Sequence, residues 1–115
     1  MHRDIKPQNI LVSGDLLHVK IGDMNISKVT QNNVTSTQIG TPLYLAPEVW
    51  SSKRGYNEKC DVYSLGCLAF ELCSLKVPFY GFSQKQLLAQ IRSNNAPEIP
   101  PKYSAELKSL IHSCL

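Results

Sequence analysis

The sequence lacks any long apolar run: none of its 115 residues lie in a stretch approaching the roughly 18 consecutive apolar positions of a membrane helix. No basic segment followed by an apolar one opens the chain, so a secretory leader is not read either. The expectation is a soluble intracellular protein with no membrane partner. Charge of one sign is equally scarce in blocks. The formal net charge of +3 comes from scattered Lys and Arg, with no cluster of the kind that makes a nucleic-acid arm, so no nucleic-acid partner is expected. Cysteine pairs at metal-ligand spacing are missing too. Cys60, Cys67, Cys73 and Cys114 sit in apolar stretches with no C-x-x-C and no His at ligand intervals, which predicts reduced core thiols. Internal repeats are absent. What remains is a composition of 43% hydrophobic and 18% charged residues, close to the globular average, in a chain of a length that suits one domain.

Along the chain, Ile10 to Val12 and Leu16 to Ile21 are short β-favouring runs separated by the turn cluster Ser13-Gly14-Asp15, which predicts a hairpin whose ends meet. From Thr30 to Thr41 the chain is polar and aperiodic, a surface loop of a length that commonly carries function. Cys60 to Leu75 is apolar nearly all round, which predicts a central helix buried on every side. Ser83-Gln-Lys-Gln86 is a capping-box pattern, and Phe82 with Leu87 has the spacing of a hydrophobic staple. Asn95 to Pro101, with three prolines, reads as a connector. A last helix follows Ser104, with Leu107, Leu110, Ile111 and Cys114 on one face. Trp50, Phe70 and Phe79 lie among apolar neighbours and are expected in the core.

The chemistry is concentrated at the start. His2-Arg3-Asp4-Ile5-Lys6-Pro7-Gln8-Asn9 puts a carboxylate, an ammonium and a carboxamide directly ahead of the hairpin. Phosphoryl transfer asks for that set, because its loose transition state needs an oriented hydroxyl, neutralised charge and a held metal ion. Asp4 can accept the hydroxyl proton, Lys6 can meet the migrating phosphate, and Asn9 offers an oxygen to Mg²⁺. Across the hairpin, Asp23 follows Gly22 as a second hard oxygen ligand close to opposite Asn9.

These eight residues resemble the catalytic loop H-R-D-x-x-x-x-N of the eukaryotic protein kinases. Lys20 to Asp23 resembles the approach to the family's magnesium-binding motif, and Ala46-Pro47-Glu48 the motif closing its activation segment. Gly40-Thr41-Pro42-Leu43-Tyr44 lies between them, as in that family. Lys6, two positions after Asp4, is similar to the serine/threonine branch, and Asp23 to Lys28, Gly40 to Glu48 and the run from Tyr56 through Asp61, Leu68, Glu71 and Leu72 to Cys73 resemble the NIMA-related kinases. The resemblance implies a mainly α fold, the C-terminal lobe of a kinase with a small β-hairpin at the catalytic loop. Its parts would be a catalytic loop over 1–9, an activation segment over 23–48 and a helical lobe over 49–115.

By the same resemblance the activity is ATP- and Mg²⁺-dependent phosphorylation of Ser or Thr on a protein substrate. Asp4 would be the base, Lys6 the contact to the ATP phosphate, and Asn9 with Asp23 the metal ligands. Thr41 would organise Asp4 and Lys6, Leu43 to Leu45 would face the substrate, and Asp61 would accept backbone N–H groups of the catalytic loop. His2 would pack against the residue after Asp23. Arg3, helped by Lys28, would pair with a phosphate on the activation loop, at Thr37 first, with Thr35 and Ser36 as substitutes. Glu48 would meet an Arg near the end of the domain, which these residues do not include, leaving it solvent-exposed or an orphan.

Two departures stand against the family pattern. Asp-Phe-Gly is Asp23-Met24-Asn25 here; Met is adaptable enough to fill the Phe position, and Asn is the non-Gly residue that best tolerates left-handed backbone. The sequence also carries no Gly-rich phosphate loop, strand lysine or helix glutamate, so the N-terminal lobe is expected to be missing, the chain alone to be inactive, and an apolar surface to be left open. A degenerate, scaffold-like binding module is the alternative reading. Location is expected to be cytoplasmic, with cytoskeletal or nuclear association as variants.

Overall fold

The computed structural model describes residues 1–22, 43–51, 55–93 and 95–115. The polar loop expected over 30–41 lies outside them. Among the described residues the chain forms a 3₁₀ turn (Pro7–Asn9), strands β1 (Ile10–Val12) and β2 (Val19–Ile21), and helices α1 (Pro47–Ser51), α2 (Lys59–Ser74), α3 (Gln84–Arg92) and α4 (Ala105–Cys114). The expectation of a mainly helical chain with one small hairpin holds.

The hairpin is antiparallel, with Ile10 opposite Ile21, Leu11 opposite Lys20 and Val12 opposite Val19. Its turn is longer than the composition implied. Leu16 and Leu17 leave the strand for the turn because side chains of the turn cluster satisfy the backbone there. Asp15 Oδ1 accepts the Leu17 N–H at 3.0 Å and also the Ser13 hydroxyl, and Ser13 Oγ accepts the His18 N–H at 3.0 Å. Local side-chain acceptors of this kind compete with the ladder and win at its end. Leu16 takes a left-handed backbone, φ 60, at the tip.

Helix α2 carries most of the core. Its Cys60, Tyr63 and Cys67 pack with Ala46, Phe79 and Leu87, and its Phe70 packs with Ile99 and Ile111. Gly66 lets α4 pack closely, since a Cβ there would stand 2.7 Å from Cys114 Cβ. The helix is nonetheless not buried on every side, since Val62, Leu65 and Leu72 are exposed. An all-apolar helix states what could be covered; among the described residues nothing lies over that stripe.

Other expectations are adjusted in the same way. Ser83 caps α3 by accepting the Gln86 N–H at 3.3 Å, and Gln86 Oε1 reaches back to accept the Phe82 N–H at 3.0 Å. The staple does not form. Gly81 crosses so close under α3 that a Cβ would meet Leu87 N at 2.5 Å, which seats Leu87 in the core and turns Phe82 outward. Ser104 caps α4 through the Leu107 N–H, but of the apolar face only Ile111 is fully buried, and Leu110 is exposed. The proline-rich connector contributes a core residue, Ile99. Trp50 is half-buried against the first cluster, and Phe70 and Phe79 are fully buried. All four cysteines are free; Cys60 and Cys67 are buried, whereas Cys73 and Cys114 are half-buried. Burial pushes the Cys67 thiol up to about 12, keeping it protonated and inert. No described helix is long and apolar enough to cross a membrane.

Candidate active site

The segment before β1 is shaped by α2. Asp61, in the first turn of that helix, accepts the His2 N–H at 2.6 Å on Oδ2 and the Arg3 N–H at 2.7 Å on Oδ1. Both carboxylate oxygens are thereby used to hold two consecutive peptide groups, as the resemblance implied. The grip supports an unusual backbone, because Arg3 sits at φ 72, a left-handed conformation that non-glycine residues seldom take.

The imidazole of His2 adds a second tie. Its Nε2 lies 3.1 Å from Gly22 O, and its Nδ1 accepts the Asp4 N–H at 3.4 Å. One tautomer, with the proton on Nε2, serves both contacts and links the segment to the end of β2. The residue after Asp23, against which His2 was expected to pack, lies outside the described residues.

Within the turn that follows, three expected residues come together. Lys6 Nζ lies 2.9 Å from Asp4 Oδ2. The Asn9 amide nitrogen donates to Asp4 O at 2.7 Å and to Asp4 Oδ2 at 3.0 Å, in a side chain that is itself buried. Both donors of Asn9 are thus engaged, and no hydrogen bond among the described residues uses its side-chain oxygen. The hairpin then brings the chain back: Gly22 N donates to Asn9 O at 2.7 Å. Asp23 follows at once in sequence but lies outside the described residues, as do Thr41, Lys28, Thr37 with its neighbours Thr35 and Ser36, and Met24-Asn25. Arg3 is described; its guanidinium stands 5.9 Å from the centre of the Tyr56 ring, within cation–π range. Glu48 is half-buried in α1, and no ion pair reaches it from the described residues.

The stretch 43–46, of which Leu43 to Leu45 were expected to face the substrate, is docked on α2. Tyr44 OH donates to Glu71 Oε2 at 2.6 Å, Ser64 Oγ lies 2.7 Å from Tyr44 O, and Ala46 is fully buried. Burial, and after it the Glu71 carboxylate, push the Tyr44 phenol up, so it stays a donor at any physiological pH. The sequence reading gave Glu71 no part. The signal was present, since Glu71 is the one acidic residue in the apolar run from Val62 to Cys73 and needs a partner there.

The Asp61 grip makes a measurable difference. Asp61→Ala leaves two amide donors without their charged acceptor and is expected to cost about 2–4 kcal/mol in denaturant unfolding, discounted for partial exposure. Asp61→Asn, which keeps one acceptor oxygen, is expected to lose roughly half of that. A loss below about 0.5 kcal/mol for Asp61→Ala, the level of an ordinary surface change, would contradict the role.

A turn that gathers a carboxylate, a lysine and an amide beside a returning hairpin defines a class, and comparison with known proteins agrees. The family model described as Protein kinase domain matches residues 1–115, and the chain belongs to that family. It is most like the NIMA-related serine/threonine kinases. It is 42% identical over 113 residues to human serine/threonine-protein kinase Nek2, covering 96% of this chain and 25% of that protein. Against human Nek5 the identity is 46% over 113 residues, covering 96% and 16%. Against the G2-specific protein kinase nimA of Emericella nidulans it is 39% over 116 residues, covering 100% and 16%. The solved structure of Rad53 1-466 in complex with AMP-PNP superposes with a TM-score of 0.74 at 35% identity, covering 98% of this chain and 28% of that one. The kinase fold is therefore shared, and the chain spans a quarter or less of the length of these curated relatives.

Proposed function

We propose that these residues form the C-terminal-lobe part of a protein serine/threonine kinase that uses ATP and Mg²⁺ to phosphorylate a protein substrate inside the cell. The observation that carries the reading is the disposition of Asn9: its two donors are spent on Asp4, which orients the carboxylate and leaves the hard side-chain oxygen of Asn9 unused by any hydrogen bond among the described residues. That donor set fits Mg²⁺, with Asn9 and Asp23 as the residues that would hold it; the bound ion would supply neutralisation of phosphate charge. Asp4 takes the proton of the acceptor hydroxyl. Lys6, already beside that carboxylate, meets negative charge as it spreads over the transferring group. Thr41, from the activation segment, would bond Asp4 and Lys6. Arg3 and Lys28 receive the regulatory phosphate of Thr37.

In this reading the catalytic loop is 1–9, the activation segment 23–48 and the helical lobe 49–115. The apolar side chains exposed on the hairpin and along α2, Leu11, Val19, Val62 and Leu65 among them, are surface on which the rest of the kinase domain packs. A polypeptide of residues 1–115 alone has no phosphate loop or strand lysine, and it transfers no phosphate.

Asp23-Met24-Asn25 favours a second reading, a kinase-like scaffold without catalysis. One experiment separates the two. The intact protein is incubated with γ-labelled ATP, Mg²⁺ and a mixed protein substrate, followed by phosphoamino-acid analysis. Label on Ser or Thr that disappears on chelation supports the kinase; no label above background supports the scaffold.

A further inference from the structure

The connection from Leu75 to Ser83, between α2 and α3, exposes three large apolar side chains at positions where stability calls for none. Its inner residues, Pro78, Phe79 and Gly81, are buried. The alternate residues Tyr80 and Phe82 point outward, and Phe82 is 87% exposed. Between them Gly81 passes so close to α3 that a Cβ there would meet Leu87 N at 2.5 Å, and the chain runs by with both rings on its outer side. The two rings meet edge to face, centroids 5.3 Å apart at 80°, which holds each in a defined orientation. Leu75 caps α2 in a left-handed backbone, φ 59, while also 87% exposed. Glycine would remove both costs at such a cap.

Along this connection and α3 the sequence carries charge of one sign only. From Ser74 to Pro97 the sequence carries Lys76, Lys85 and Arg92 and no acidic residue. Lys76 and Lys85 are exposed, and no ion pair engages either of them among the described residues. Rigid aromatics with few rotamers to lose, flanked in sequence by cations that no ion pair engages among the described residues, form the kind of surface on which a few anchors dominate binding.

We propose that Leu75, Tyr80 and Phe82, with Lys76 and Lys85, form a docking surface for an acidic protein segment that carries a large apolar side chain. A membrane is the less suitable occupant: it asks for a cluster of about four to eight basic residues or an amphipathic helix laid flat, and this connection has neither. The proposal goes beyond catalysis and does not depend on it.

The test uses the intact protein and a short fluorescein-labelled peptide in which Glu alternates with Phe and Leu, read by anisotropy. Binding is expected, weakened about tenfold by Phe82→Ser or Tyr80→Ser, weakened comparably by Lys85→Glu, and reduced by salt. Leu110→Ser, an exposed leucine on α4, leaves it unchanged. Melting of the Phe82 and Tyr80 variants stays near that of the parent, because neither ring is in the core. The proposal is overturned if the peptide does not bind, or if polyglutamate binds as well and the ring variants change nothing. It is also overturned if phosphatidylserine vesicles bind in place of the peptide, or if the patch proves to mediate only self-association lost in Phe82→Ser.

Discussion

Asp4→Asn in the intact protein is expected to lower kcat by about 10²–10⁴-fold, the usual contribution of a positioned acid or base. The substitution is close to isosteric and keeps an oxygen to accept from Asn9 or face Lys6, so the turn is retained. What it removes is the capacity to take the proton of the acceptor hydroxyl. KM for ATP is expected to change little, since the base acts on the acceptor side. Thermal stability is also expected to hold, because the Asp4–Lys6 pair is more than a third exposed on both sides and such pairs contribute little. A fall of less than tenfold, or a fall accompanied by unfolding, would remove Asp4 from the role of base.

Phe70→Ala is expected to destabilise the fold by about 3–5 kcal/mol, and to lower the melting temperature by roughly 12–20 °C. Phe70 is 1% exposed and lies between Ile99 of the connector and Ile111 of α4, so its loss opens a cavity that three separate pieces of chain would have to close. Leu72, two residues on along the same helix, is 69% exposed, and Leu72→Ala is expected to fall within about 0.5 kcal/mol of the parent. The pair tests which faces of α2 are core. Equal losses would mean that the exposed stripe is buried after all.

Much of this was legible in the residues. The serine caps of α3 and α4 and the hairpin follow from local chemistry, a side-chain oxygen three residues before an amide and a turn between β-favouring runs, whereas the Asp61 grip, which spans some 58 residues, was legible only through the resemblance. These depend on neighbours in sequence, or on a motif that carries its own geometry. The parts that sequence did not disclose depend on what lies across space. Val62, Leu65 and Leu72 are as apolar as Phe70, and only the packing separates the exposed from the buried. Ile99 sits among prolines, which mark a connector but do not say which side of it faces inward. Phe82 has the spacing of a staple, yet the close crossing at Gly81 decides where it points.

The site divides along the same line. Asp4, Lys6 and Asn9 lie within one turn, so their spacing is enough to bring them together. The Tyr44–Glu71 hydrogen bond joins residues distant in the chain, and only the docking of 43–46 on α2 creates it.

The central claim, that the hairpin brings Asn9 and the residue after Gly22 around one divalent cation, is tested most directly by Mn²⁺ titration of the ¹⁵N-labelled intact protein with ATP present. Paramagnetic broadening is expected first at the amides of Asn9, Ile10 and Gly22, and Asn9→Leu is expected to abolish that selectivity. Broadening centred elsewhere, with the Asn9 and Gly22 signals left sharp, would contradict the account.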